Sequence, residues 1–138
     1  METFFDSRNH PKIKLAVSGT KQSNFLEAIL DTGFDGYLSL PIGLAVTLGI
    51  ELTAIIPVEY ADGRRSQELV FSVKMDFDGK EEIVPATLTA GSEALVGTSL
   101  LAKHELRINF SRKKITLQKV QFPPSNLDAC GNWLIELS

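Results

Sequence analysis

Hydrophobic and polar positions alternate along much of the chain. Ile13, Leu15 and Val17 are interleaved with Lys12, Lys14, Ala16 and Ser18, the period-two pattern of a strand with one buried face. "SGTKQSN" reads as its turn. The next run, "FLEAIL", is apolar at every position except Glu27, and predicts a strand covered on both faces that leads straight into Asp31. After "LSL", Pro41 suits the first position of a short helix, Leu44 and Leu48 share a face, and Gly49 suits the C-terminal cap. Val58 to Tyr60, the turn-like "ADGRRS" and the alternating set Leu69, Phe71, Val73, Met75 and Phe77 predict a hairpin with a polar tip. Asp78-Gly79 is a tight-turn signal, and Ile83 to Leu88 supplies the returning strand, in which Pro85 requires an edge or bulge position.

Farther on, "ALVG" predicts a short buried strand, and Thr98 is placed to cap a helix over "SLLAKH". Leu106, Ile108 and Phe110 alternate with Arg107, Asn109 and Ser111, then "SRKK" turns the chain into Ile115 and Leu117, one more hairpin. Pro123 and Pro124 separate off a tail in which Trp133, Ile135 and Leu137 alternate as in an edge strand. There is no internal repeat and no low-complexity segment. Short strands punctuated by turns about every eight to twelve residues predict an all-β barrel or sandwich.

Composition narrows the function classes. At 138 residues, with 43% hydrophobic and 22% charged, the chain is expected to form one globular domain spanning 1–138. Lysines and arginines number 14 against 17 acids, a net charge of -3, so no broad cationic surface for nucleic acid or acidic membranes is expected. No apolar stretch is long enough for a helical membrane span, and "METFFDSRNH" has no basic end followed by an apolar stretch, so a cytoplasmic protein is expected. Cys130 is the single cysteine, which rules out an intrachain disulfide or a cysteine-rich zinc site. His10 and His104 have no metal-ligand spacing, and no Gly-x-Ser-x-Gly elbow or phosphate-binding glycine loop occurs. Neither a metal nor a cofactor is therefore expected. Nothing around Cys130 suggests an activated thiol, and a packed or exposed free thiol is the expectation.

The remaining candidate for chemistry is "AILDTGFDGYLSLP", residues 28–41. Asp, Thr and two glycines after an apolar strand suit an ordinary turn, and they equally suit a carboxylate presented by a strand end. Asp35 lies four residues after Asp31, but Asp35-Gly36 is itself a turn dipeptide, and a strand-loop-strand path gives the two carboxylates no reason to meet.

Two separated stretches, "LDTGFDGYLSLP" and "ALVGTSLLAKHELRINF", with a hairpin between them, make residues 12–118 resemble the retropepsin-like, single-domain aspartic proteases, and "DTGF" resembles a bacterial and archaeal branch of that clan. The resemblance implies a closed all-β barrel of a single lobe with one or two short helices, residues 119–138 being a C-terminal extension. It further implies a homodimer that hydrolyses peptide bonds, with Asp31 and its symmetry mate as catalytic dyad. Thr32 would bond across the dimer axis, Gly33 would let backbone approach the carboxylates, and Gly97 would pack behind the loop among Leu95, Leu100 and Leu101. Tyr60, Ala61, Asp62 and Gly63 would form the tip of a flap over an extended peptide, although the same tip also reads as a solvated hairpin end. Phe34 stands where the relatives carry Ala or a hydroxyl residue. It offers the aspartate no hydroxyl donor, which predicts a mildly acidic to near-neutral optimum, or alternatively a catalytically inactive peptide-binding or scaffold dimer. The tail could add an interface strand, serve as a self-processing site or contact a partner; the sequence leaves these open.

Overall fold

The computed structural model describes residues 1–120. They form β1 (Glu2–Phe5), β2 (Pro11–Ser18), β3 (Ser23–Leu30), β4 (Leu38–Pro41), α1 (Ile42–Leu48), β5 (Glu51–Glu59), β6 (Arg65–Phe77), β7 (Lys80–Thr89), β8 (Ala94–Val96), β9 (His104–Asn109) and β10 (Lys114–Lys119). The expected edge strand through Trp133, Ile135 and Leu137, and Cys130, lie outside the described residues.

Eight strands make one sheet in the order β1-β2-β3-β8-β4-β7-β6-β5, and an added β2–β6 pairing closes β2, β3, β8, β4, β7 and β6 into a ring. β3–β8 and β4–β7 are parallel, the other pairings antiparallel. Among the described residues β9 and β10 pair only with each other. The architecture is the expected all-β closed barrel, with one short helix among the described residues.

Alternation decides what fills the ring, because successive side chains of a strand point to opposite faces. Ile13, Leu15 and Val17 of β2, Leu26, Ala28 and Leu30 of β3, Val73, Met75 and Phe77 of β6, and Val84 and Ala86 of β7 all point inward and are buried. Leu48 from α1 and Leu100 and Leu101 beyond β8 join the same cluster. β3 departs from expectation: Phe25 and Glu27 are exposed, so one face is covered and not two. The outer face of a closed ring is left to solvent unless another layer is added, and over Phe25 there the Lys14 ammonium lies 5.0 Å from the ring centre. Lys12, expected on the outer face, is buried, its ammonium 3.0 Å from Glu93 and 3.2 Å from Asp6.

Turn chemistry sets the connections. Asp78 and Gly79 both have positive φ, 58° and 74°, the primed turn that matches strand twist. Pro85 pairs with Ser72 on β6 just before β4 begins to pair with β7 at Ala86, so it occupies a position with one free edge, where its missing N–H costs no ladder bond. Pro41 falls one residue earlier than expected: it is the N-cap of α1 with φ -56° and ψ 140°. Gly49, at φ 72°, ends the helix and donates to the carbonyls of Ala45 and Val46.

Two further elements differ from the sequence reading. β1 was not foreseen, since its four residues show no alternation; it exists because Glu2–Phe5 add to the edge of β2. The helix expected over "SLLAKH" is absent. The Gly97 carbonyl accepts from the Leu100 and Leu101 N–H groups at 3.2 and 3.3 Å, but His104 then donates to Leu101 and enters β9 at once. Thr98 does not cap that turn; its N–H and hydroxyl both go to the Phe34 carbonyl.

Candidate active site

Asp31 is the first residue beyond β3. Its N–H donates to the Val96 carbonyl of β8 at 2.9 Å, which carries the parallel β3–β8 pairing one bond past the strand. The chain then reverses: the Phe34 N–H donates to the Asp31 carbonyl at 3.2 Å, and the Gly33 N–H donates to the carboxylate Oδ1 at 2.9 Å. That second bond is the local one any aspartate can make in a turn. What distinguishes Asp31 is how the turn is held from behind.

Residues 97–99 run alongside 34–37 and bond to them repeatedly. The Gly97 N–H donates to Tyr37 at 3.0 Å, the Thr98 N–H to Phe34 at 2.8 Å, and the Ser99 N–H to Gly36 at 3.2 Å. The Ser99 hydroxyl adds a 2.6 Å bond to the Asp35 carbonyl. The approach is close enough that a Cβ on Gly97 would overlap the Gly36 carbonyl oxygen and lie 2.7 Å from both the Phe34 carbonyl oxygen and the Phe34 ring. A Cβ on Gly36 would meet the same ring at 2.5 Å. The loop is thus over-determined by backbone bonds and by two positions without room for a side chain.

Asp31 is half-buried, and Thr32 and Gly33 are exposed. The Thr32 hydroxyl makes no hydrogen bond among the described residues. Asp35 is exposed with its carbonyl turned to Ser99, and no hydrogen bond joins the Asp31 and Asp35 side chains. A single chain therefore presents one fixed carboxylate at its surface. A hollow of about 380 Å³ beside the second stretch is lined by residues including Tyr37, Phe77, Asp78, Ser99 and His104, and does not include Asp31. Among the described residues no group of three or more His, Cys, Asp or Glu comes together as a metal site, and no helix is long and apolar enough to cross a membrane.

The hairpin tip predicted from sequence is a projecting ribbon. Among the described residues, 65–70 of β6 pair only with β5, because β7 joins β6 from Phe71 and β2 joins it from Lys74. Tyr60, Ala61, Asp62 and Gly63 form the exposed turn, with Gly63 at φ 85°. The Tyr60 N–H donates to Arg64 at 2.8 Å, and Arg64 pairs with Asp62 at 2.6 Å beneath the Tyr60 ring. No hydrogen bond links this tip to residues 31–37.

Sequence reasoning did not single out Gly36, Thr98 or Ser99 as parts of this site. Gly36 looked like the second half of a turn dipeptide and Thr98 like a helix cap. Their partners lie more than 60 residues away, and no local pattern encodes a contact of that separation.

Solved structures that share this fold include aspartic proteases. The chain is similar to a retropepsin-like aspartic protease from Rickettsia conorii at 18% identity, covering 83% of this chain and 86% of that one with a TM-score of 0.57. It is also similar to the EIAV protease in an inhibitor complex, at 15% identity over 71% of this chain and 90% of that one, with a TM-score of 0.50. No protein-family model and no curated protein matches the sequence. The fold is that of the retropepsin-like acid proteases.

Proposed function

We propose that the protein is an aspartic endopeptidase that works as a homodimer, with Asp31 from each copy forming the catalytic pair. One observation carries the reading: a retropepsin-like barrel presents its single Asp-Thr-Gly on a loop pinned from behind but open in front. A two-fold axis beside that loop makes one surface patch its own partner, so a second copy supplies the missing acid without a second gene-encoded motif. Two carboxylates that close cannot both ionise, so they share one proton. The ionised one takes a proton from water as that water attacks the peptide carbonyl, and the protonated one donates to the carbonyl oxygen; the C–N bond of the adduct then breaks as the first acid passes its proton to the leaving nitrogen and the second recovers one from the adduct's hydroxyl.

The chain's other residues have matching tasks. Gly33 holds the Asp31 carboxylate through its N–H, and the Thr32 hydroxyl, which has no hydrogen-bond partner among the described residues, is available to the partner loop. The β5–β6 ribbon supplies free backbone to which an extended peptide can add as a strand, and its tip serves as a lid. The substrate is an extended peptide or unfolded protein.

A second reading, a dimeric peptide-binding or scaffold module without turnover, draws on Phe34 and on the tip's internal closure by Arg64, Asp62 and Tyr60. Turnover decides between them. Wild type is expected to cleave unfolded casein, and Asp31→Asn is expected to abolish that cleavage while sedimentation still reports a dimer. Binding of extended peptides without cleavage by wild type would instead establish the second reading.

A further inference from the structure

We infer that Phe34 is a positioning residue: its ring, lying across Gly36 and Gly97, sets the geometry of the Asp31 loop. The inference rests on the catalytic reading of Asp31 and assigns the neighbouring aromatic a mechanical task in it.

Three observations support this. The ring occupies the space that side chains at two other positions would need, its Cζ and Cε1 within 2.5 and 2.8 Å of a Cβ built on Gly36 and its Cδ2 within 2.7 Å of one built on Gly97. The ring therefore lies against both glycines at once. Next, the main chain of Phe34 closes the turn on both sides. Its N–H donates to the Asp31 carbonyl and its carbonyl accepts from Thr98, through the N–H at 2.8 Å and the hydroxyl at 3.4 Å. Finally, the carboxylate depends on that turn, since Gly33, which donates to Oδ1, lies between Asp31 and Phe34. Ring, turn and carboxylate form one connected unit. Removing the ring leaves a void between two glycines, the most permissive residues of the backbone, and frees the turn to relax. A shift of about 1 Å at a reacting group is enough to cost roughly a hundredfold in rate.

The test uses the full chain and has three arms. In a urea-midpoint cycle, Gly36→Ala is expected to lower the midpoint strongly when Phe34 is present and only slightly in the Phe34→Ala background, since the collision partner is gone. Gly97→Ala is expected to stay destabilising in both backgrounds because it also meets the Gly36 carbonyl. In amide-proton NMR, the Gly33 signal should follow protonation of the Asp31 carboxylate and be slow to exchange in wild type. Phe34→Ala should lose both properties, and Phe34→Leu should keep them in part. With casein as substrate, Phe34→Ala is expected to lower kcat by about ten- to a hundredfold with little change in KM, and Phe34→Leu to restore part of it. Additive urea midpoints for Gly36 and Phe34, or a Gly33 amide unchanged in Phe34→Ala, would overturn the inference. If wild type shows no cleavage, the endopeptidase reading fails, and the urea and NMR arms alone decide whether the ring positions the loop.

Discussion

Gly97→Ala is the substitution with the sharpest structural consequence. The new methyl would overlap the Gly36 carbonyl oxygen and crowd the Phe34 carbonyl and ring at 2.7 Å. Two of those three are backbone atoms, so no rotamer change relieves the clash, and the strips 97–99 and 34–37 must separate. Their bonds, Gly97 to Tyr37, Thr98 to Phe34 and Ser99 to Gly36, are then stretched or lost. Overpacking costs about 1–3 kcal/mol, and each net hydrogen bond given up about 0.5–1.5 kcal/mol. The reduced freedom of the unfolded chain returns about 0.4–1 kcal/mol. With the equivalent of one of those bonds given up, the net loss centres on about 2 kcal/mol, which a mid-range urea slope of about 2 kcal/mol per molar converts to a midpoint about 1 M lower. Gly43→Ala is the control: nothing lies within 4 Å of its Cβ and it sits inside α1, so it should stabilise by about 0.4–1 kcal/mol. Equilibrium urea unfolding followed by circular dichroism measures both. A Gly97→Ala midpoint equal to wild type would refute the close-approach reasoning, as would two alanines that behave alike.

Other outcomes follow from the same structure. Leu48→Ala removes a fully buried side chain from under the barrel and should cost about 2–5 kcal/mol in urea with an unchanged slope. Asp6 is held down to about 2, first by the His10 N–H and also by the Arg8 N–H and the Lys12 ammonium, against partial burial. Because its folded value is depressed, its stabilising contribution is complete above the ordinary carboxylate range near 3.8 and disappears as pH falls through about 2. The melting-temperature gap between wild type and Asp6→Asn should therefore be flat at neutral pH and close between those values; a gap independent of pH down to 2 would contradict the assignment.

Much of the barrel was legible because its signals are local. Alternation in Ile13–Val17 and Val73–Phe77 marks strands with one buried face whatever they pair with. The positive-φ pair Asp78-Gly79 and the helix-ending Gly49 are turn chemistry written in two or three residues. Legibility failed where neighbours decide. β1 is a strand only because β2 has an edge to offer it. Apolar residues of β5 lose strict alternation at the bulge between Leu52 and Ala54, which shows only in the register. Thr98 has a residue type that suits a cap, but its donors were claimed by Phe34.

By itself, the sequence determined the all-β class, the hairpins, the short helix and the position of Asp31 at a strand end, all consequences of spacing and residue type along a few neighbouring positions. Only the tertiary structure decided that the ring closes through β2 and β6, that 97–99 lie against 34–37, and that one aromatic ring spans Gly36 and Gly97. The reason is physical: periodicity reports which face of an element meets a core, whereas contacts between residues some 60 positions apart depend on how every element between them packs.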